Sequence, residues 1–373
     1  MSKRALIVGA GLGGLSAAHA LAQVGWKIQI FEKAPALSDI GAGIQLSPNA
    51  TRVLRHIGLL DRVQAAAFEP RAATLREGMG GHVLMYAPLK GLCSRLYGAP
   101  YLHIHRPNLH AILAHGLEIN LGQDAHSHTG HGLNLSTGQH ICGDLIVGAD
   151  GLRSRLQTQI NGPQSPRFTG QVAWRGMVEA TPDLQRLIPP DATVWVGQGQ
   201  HMVTYYLRAD LINFVGVTEQ ETWREEGWNL PGDVAKLRAI FAQWAPAIQG
   251  LLEACQSVRR WALFDRRPLP RWTDRAVALL GDAAHPTLPF LAQGAALAME
   301  DAAALAKFAP DLHAYEQARK PRTSALQARA RSNAALYHQA RWIDRAKLKI
   351  APMALRGPQA HALFWHIFNG GRF

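Results

Sequence analysis

The chain has 373 residues, 47% hydrophobic and 18% charged, enough for about two domains with sizeable cores, and has no apolar run long enough to span a membrane. Its three cysteines, Cys93, Cys142 and Cys255, are too widely spaced for a disulfide framework or a metal knuckle, which favours a reducing compartment. The formal charge of +12 comes from scattered, mostly arginine residues not interleaved with aromatics, which argues against nucleic-acid binding and for a basic surface that attracts small anions.

Residues 5–8 are a short apolar run, expected as a buried parallel strand. Lys3 and Arg4 ahead of it would suit a secretory leader, but the glycines that follow interrupt the apolar stretch. A cytoplasmic fold that opens on a strand is expected instead. An Ala-rich helix over 15–24 and a second strand over 27–31, ending at Glu32, complete one βαβ unit. Helices are expected over 47–60, with Ser47 or Asn49 near its start and Gly58 near its end, and over 106–115. Residues 133–135, a Ser-Thr-Gly turn and 140–142 read as a hairpin, and 145–147 as a buried strand stopped by "GADG". From about 170 to 265 aromatic and β-branched residues cluster, as in an antiparallel sheet with glycine-containing turns. Residues 276–280 are again a short buried strand. A helix is expected from 297, then a long helical region over 312–349 kinked at Pro321.

Four of these strands end in residues that suit a dinucleotide. Gly9-x-Gly11-x-x-Gly14 follows the first strand and opens a helix. The first glycine permits the tight turn, the second lets backbone approach a pyrophosphate, and the third lets helix and strand pack closely. Glu32 stands 18 residues beyond Gly14, where a carboxylate accepts hydrogen bonds from a ribose diol and repels a 2′-phosphate. Arg106, at a helix start, reaches phosphate or ribose oxygens, or is simply a surface arginine. Asp150 follows the strand 145–147 and serves either as a turn cap or as a second nucleotide contact. The layout repeats at Asp282, placed to hold a ribityl or ribose hydroxyl, and at Gly294, which opens a helix with free N–H groups.

Taken together, "GAGLGG" with Glu32, "GAGIQLSPNATRVLRHIGLLD", "HRPNLH", "GADGLRS", "GDAAHPTLPFLAQGAALAMED" and "YEQARKPRT" resemble the single-component FAD-dependent aromatic hydroxylases. That family includes p-hydroxybenzoate, salicylate and 6-hydroxynicotinate hydroxylases. The motifs span residues 5 to 335 in the family's order. The resemblance implies an α/β fold: a Rossmann-like FAD-binding domain in three sequence segments (1–70, 98–165 and 272–330), an inserted β-sheet substrate domain (71–97 and 166–271), and a C-terminal helical segment (331–373). It implies FAD as the bound dinucleotide, with Glu32 on the adenosine ribose, Arg106 near the FAD backbone, and Asp150 in a motif linked to both FAD and NAD(P)H. Asp282 would bind FAD, and the Gly294 and Ala295 amides would lie near flavin N1 and O2, where a helix N-terminus stabilises the reduced, anionic ring. Gly9, Gly11, Leu12, Gly13, Gly14, Lys33, Gly43 and Ile44 complete the expected cofactor set. Two positions depart from the family: Gln157 stands where arginine is common, and Ala296 where asparagine is frequent.

The implied activity is hydroxylation of a small phenolic or N-heteroaromatic acid with O2 and NADH or NADPH, through a flavin C4a-hydroperoxide. Such a site must be dry, must hold the ring, and gains from a base near neutral pKa. On "HMVTYYLR", His201, Val203, Tyr205 and Leu207 share one strand face, and Met202, Thr204 and Tyr206 the other. His201 and Tyr205 read as a catalytic and substrate-gripping pair, or as two ordinary sheet aromatics. Their spacing resembles the substrate-gripping pair of the 6-hydroxynicotinate hydroxylases, whereas several salicylate-type relatives have histidine where this chain has Thr204. Gln45 is a further substrate-binding candidate, or a loop residue facing solvent. Trp174, Trp195 and Phe214 read first as core, and His285 as structural support for its loop. His126, His128 and His131 lie in a polar turn without cysteine, so no metal site is expected. The expected protein is a monomer or homodimer that binds neither nucleic acid nor membrane. Two alternatives stand beside it: a membrane-surface quinone-pathway hydroxylase, suggested by the basic stretch 341–368, and a flavin-binding redox protein that does not hydroxylate.

Overall fold

The computed structural model describes residues 3–37, 42–225, 227, 229–338 and 357–370. Its first layer is a six-stranded sheet in the order Thr273–Asp274, Val277–Leu279, Leu145–Gly148, Arg4–Val8, Lys27–Glu32, Ile119–Leu121. All neighbours run parallel except the two-residue edge strand. The central strands are short and buried nearly throughout, as a sheet covered on both faces requires. Three distant stretches of sequence therefore end side by side at one sheet edge, each with its polar turn.

Small residues set the spacing above that sheet. The helix Leu12–Gln23 packs on the helix Gly294–Phe308, whose buried face is mostly alanine. A Cβ on Gly13 would meet Ala298 Cβ at 3.2 Å, so any larger side chain there would push the two helices apart. The helix expected over 47–60 is instead two, Pro48–His56 and Leu60–Ala65. Gly58, at φ +76°, takes the left-handed conformation that ends one helix before the next begins.

The second layer is an eight-stranded sheet in the order Leu230–Gly232, Val258–Asp265, Arg167–Glu179, Leu211–Glu219, Gln200–Arg208, Ala192–Gly197, Ala72–Glu77, Val83–Pro88. One pair, Ala72–Glu77 with Ala192–Gly197, is parallel. The register places His201 opposite Val217, Val203 opposite Val215, and Tyr205 opposite Asn213. The other face carries Trp174, Trp195, Met202, Tyr206 and Phe214 into a core with Leu237, Phe241, Trp244, Ile248 and Leu251. The last five lie on or beside the helices Val234–Ile240 and Pro246–Ala254, which the aromatic-rich sequence had led us to expect as part of a sheet.

The helix Leu312–Tyr337 continues through Pro321. Residues 339–349 of the expected helical region lie outside the described residues, as does much of the basic stretch 341–368. The final described segment is pinned by arginines: Arg52 donates to the Phe368 carbonyl at 2.6 Å, Arg322 to those of His366 and Ile367, and Arg329 to that of Leu363. Among the described residues, no helix is long and apolar enough to cross a membrane.

Candidate functional site

A cavity of about 890 Å³ lies between the two layers, within the ordinary range for small-molecule sites. One side is formed by Gly11, Leu12, Gly13, Gly43, Ile44, Gln45, Arg106, Asp282, Gly294 and Ala295; His201 and Tyr205 face it from the sheet. Gly9, Gly14, Glu32, Lys33 and Asp150 are not in its lining.

Four of those five sit just behind the wall. Gly9 has φ +102°, and a Cβ there would overlap the Ala149 carbonyl; a Cβ on Gly14 would overlap the Gly9 carbonyl. Helix and strand touch through bare backbone at this point. Glu32 braces the turn by accepting from the Ala10 N–H at 2.8 Å and the Ala34 N–H at 2.9 Å. Each oxygen keeps a lone pair for a further donor. Asp150 accepts from the Arg155 N–H at 3.0 Å through one oxygen, while the other is buried and has no well-aligned donor among the described residues. Burial pushes its pKa up. Lys33 is exposed.

Gln157 is buried, and its side-chain oxygen accepts from Arg266, which also donates to the Leu152 carbonyl at 2.8 Å. A guanidinium thus supports this loop after all, supplied from 109 residues away.

Asp282 is exposed to the cavity, and the protein packed around it raises its pKa by desolvation against the pull of His285 and Arg106. Its turn is held from behind. Asp301 accepts from the Gly281 N–H at 3.0 Å, from His285 Nε2, and from Arg319 Nε at 2.7 Å. Arg319 also donates to Glu300, which Arg322 and Asn49 share. Asn49 donates to Gln293, and Gln293 to Ser47. This buried chain links the Asp282 turn to the start of the helix Gly294–Phe308. Burial works against both carboxylates, yet their partners win: His285 and Arg319 hold Asp301 at about 2, and Arg319 and Arg322 hold Glu300 low. The helix has no side-chain cap, which leaves its first amides available toward the cavity that Gly294 and Ala295 line. Ala296 is buried and faces away. His285 packs on Trp272 at 5.0 Å and supports the loop, as read from sequence.

These features fit FAD. The turn needs glycine, an uncapped helix start meets the wall twice, Asp282 faces in, and one buried Asp150 oxygen has no well-aligned donor among the described residues.

On the sheet side His201 is 1% exposed, with ring contacts to Phe290 and Tyr337. Its Nδ1 lies 2.8 Å from His338 Nε2. Burial, then His338, lower its pKa well below the usual histidine value. Burial pushes the Tyr205 hydroxyl up, with Arg175 pulling back. Tyr205 lies against the cofactor side: a Cβ on Gly43 would stand 2.5 Å from its ring and 2.7 Å from its hydroxyl. Gln45 is not a loop residue. It lies on the strand Gly43–Leu46, paired with Leu102–His105, and accepts from Tyr101 Oη at 2.6 Å. Thr204 points to the far face and accepts from Trp195 Nε1. Trp174, Trp195 and Phe214 are core.

Sequence reasoning missed Arg175, stacked on Trp261 at 5.2 Å, and the helical row Arg329, Asn333 and Tyr337, all of which line the cavity. The row's four-residue spacing was the available signal. Phe364 and Phe368 also line it. His126 and His131 are exposed and His128 is buried, so the three do not converge. Among the described residues, no three His, Cys, Asp or Glu side chains gather as metal ligands.

Residues 3–329 match the family described as FAD binding domain. The chain is 36% identical over 344 residues to a 6-hydroxynicotinate 3-monooxygenase from Bordetella bronchiseptica, covering 87% of this chain and 89% of that protein. It is 33% identical over 356 residues to 3-hydroxybenzoate 6-hydroxylase 1 of Aquipseudomonas alcaligenes, covering 91% and 90%. Its fold matches Klebsiella pneumoniae HpxO, solved with FAD and uric acid, with a TM-score of 0.83 at 28% identity over 94% of this chain and 93% of that one. On that span and identity, the chain belongs to the FAD-binding domain family, among relatives that are monooxygenases.

Proposed function

We propose that this protein is an FAD-dependent monooxygenase that hydroxylates a small phenolic or N-heteroaromatic acid, using NADH or NADPH and O2. One observation carries the reading: the glycine turn, Asp282 and the Gly294 helix start open into the same cavity as His201 and Tyr205. Among the residues proposed to hold the cofactor, Glu32 takes the adenosine ribose, Arg106 and the Gly11–Gly13 backbone the phosphates, Asp282 a ribityl hydroxyl, and the Gly294 and Ala295 amides the anionic edge of the ring. Bound FAD, reduced by NAD(P)H, supplies the activation of O2.

This chain's side chains supply the rest. The sheet face and the residues Phe290, Tyr337, Phe364 and Phe368 exclude water, which protects reactive oxygen from wasteful loss. Tyr205 and Gln45 orient the substrate, and Arg175, half-buried over Trp261, sets a positive field for its carboxylate. His201, held neutral by its burial, accepts the ring hydroxyl proton and makes the ring a better nucleophile. The proposed organisation is a three-segment FAD domain, a β-sheet substrate domain over 71–97 and 166–271, and a C-terminal helical segment, in a cytoplasmic monomer or homodimer.

The test is a screen of hydroxynicotinates, hydroxybenzoates and aminohydroxybenzoates for stimulated NAD(P)H oxidation, with product analysis. A protein that takes up no FAD would refute the reading. One that binds FAD but hydroxylates no member of this set would point to a flavin-binding redox protein. His201→Asn is expected to keep FAD but lower hydroxylated product per NAD(P)H by about tenfold or more. An unchanged yield and pH profile would remove the base assignment.

A further inference from the structure

His201 does not end at its own ring. Its Nδ1 meets His338 Nε2 at 2.8 Å, and His338 Nδ1 meets Glu219 Oε1 at 3.0 Å. The His338 side chain is fully buried, while that of Glu219 is 56% exposed. A continuous line therefore runs from the cavity wall through a buried ring to solvent. It joins two sheet strands to the last turn of the helix Leu312–Tyr337.

The line has a direction. An ionised carboxylate only accepts, so Glu219 requires a proton on His338 Nδ1. His338 Nε2 must then accept, which requires a proton on His201 Nδ1. That leaves His201 Nε2 as the basic nitrogen, on a ring that lines the cavity. Among the described residues the one competing donor to this ring is Gln171 Nε2, 3.4 Å from His338 Nδ1, which is longer and uncharged. The titratable groups packed on His201 are His338 and Tyr337; those on His338 are His201 and Glu219.

We propose that His338 and Glu219 are positioning residues that form a proton outlet: they hold His201 in the tautomer whose Nε2 takes the substrate's hydroxyl proton, and they pass a proton to solvent. This rests on His201 as the base of the proposed hydroxylation. The balance closes without a co-reactant. The substrate O–H proton moves to His201 Nε2, the His201 Nδ1 proton moves to His338 Nε2, and the His338 Nδ1 proton leaves through Glu219 to water. One proton enters and one leaves, with no change of oxidation state. Burial explains why the outlet is useful. An imidazolium kept at His201 would be a buried charge, and passing it on moves that charge to an exposed carboxylate.

The experiment has two arms on the FAD-loaded protein. In the first, 15N ring spectra of histidine-labelled protein are recorded near pH 8 for wild type and Glu219→Gln. Both His201 and His338 are expected as Nδ1–H tautomers in wild type, with the preference lost in the variant. In the second, Glu219→Gln, Glu219→Asp and His338→Asn are compared with 6-hydroxynicotinate as the probe substrate. Glu219→Gln is expected to lower kcat about tenfold and His338→Asn about a hundredfold, with KM within about twofold and the pH profile moved to higher pH. Glu219→Asp should recover most of the loss, which a merely structural defect would not allow. An Nε2–H tautomer on either ring in wild type overturns the proposal. So do flavin-loaded Gln and Asn variants that keep the wild-type kcat and pH profile. A wild type that shows no substrate-stimulated turnover overturns the proposed function instead, and the ring spectra, which need no turnover, still decide the tautomer chain.

Discussion

On its cofactor side the cavity is walled by backbone, and on its sheet side by side chains. Gly9 and Gly14 leave Cβ atoms out so that backbone packs on backbone behind the wall, and the uncapped Gly294 helix start leaves its first amides toward the cavity. His201, Val203 and Tyr205 project from a strand whose register with Leu211–Glu219 fixes where each points. Such close packing tolerates almost no substitution at Gly9 and Gly14, where a Cβ would overlap backbone. A side-chain site on a rigid sheet tolerates chemical change while the fold survives. The two sides should therefore fail differently.

The largest effect is expected at Gly14→Val. Its side chain would overlap the Gly9 carbonyl, costing about 3 kcal/mol or more and the bound flavin. Flavin absorbance of the purified variant and its thermal melt check both. Arg319→Met comes next, since it leaves Glu300 and Asp301 buried with one cation fewer. A loss of about 3–5 kcal/mol in denaturant unfolding is expected, with weaker FAD retention.

Acid probes both sides without mutation. His103 is buried with its pKa lowered to about 3, and His201 and His338 are lowered too. Each takes a proton in the unfolded chain below about 6.5 but not in the folded one, so the stability present above that pH is lost as pH falls. The slope is about 1.4 kcal/mol per pH unit for each such histidine. Asp301, held at about 2, has the same sign in a lower window, losing its contribution only below about 4. Thermal melts should therefore show stability falling between pH 6.5 and 4 as the buried histidines take protons, with the Asp301 network joining below. A flat profile down to pH 4 would refute this.

The smallest effect falls where the sides touch. Gly43→Ala sets a methyl against the Tyr205 ring, and is expected to raise substrate KM by about tenfold while costing about 1–3 kcal/mol of stability. Equal losses in FAD affinity and KM would mean that the two sides are one unit.

The same contrast explains what could be read from sequence. Glycine turns are local and demand particular residues, so "GAGLGG" and the hairpin at 133–142 declared themselves. Asp282 did so because a carboxylate after a buried strand is a local pattern too. Gln45 read equally as a substrate contact or a loop residue because its strand is only four residues long and pairs with a segment 58 residues on, from Gln45 to His103. The helices Val234–Ile240 and Pro246–Ala254 were hidden by the aromatics they share with the sheet they cover. His338 lies 137 residues from His201, and nothing but the packed fold joins them. Arg266 was invisible for the same reason, since only a folded chain brings its guanidinium to Gln157.

Glu300 is gripped by Arg322, which also holds the carbonyls of His366 and Ile367. One guanidinium thus fastens the charged base of the cofactor turn to the chain segment that covers the opposite wall with Phe364 and Phe368. The two are thermodynamically linked. A ligand that favours the ordered turn favours the docked segment by the same free energy, and docking returns it. Filling the flavin end should then protect residues 357–370 from proteolysis, although no atom of the ligand need touch the bond that is spared.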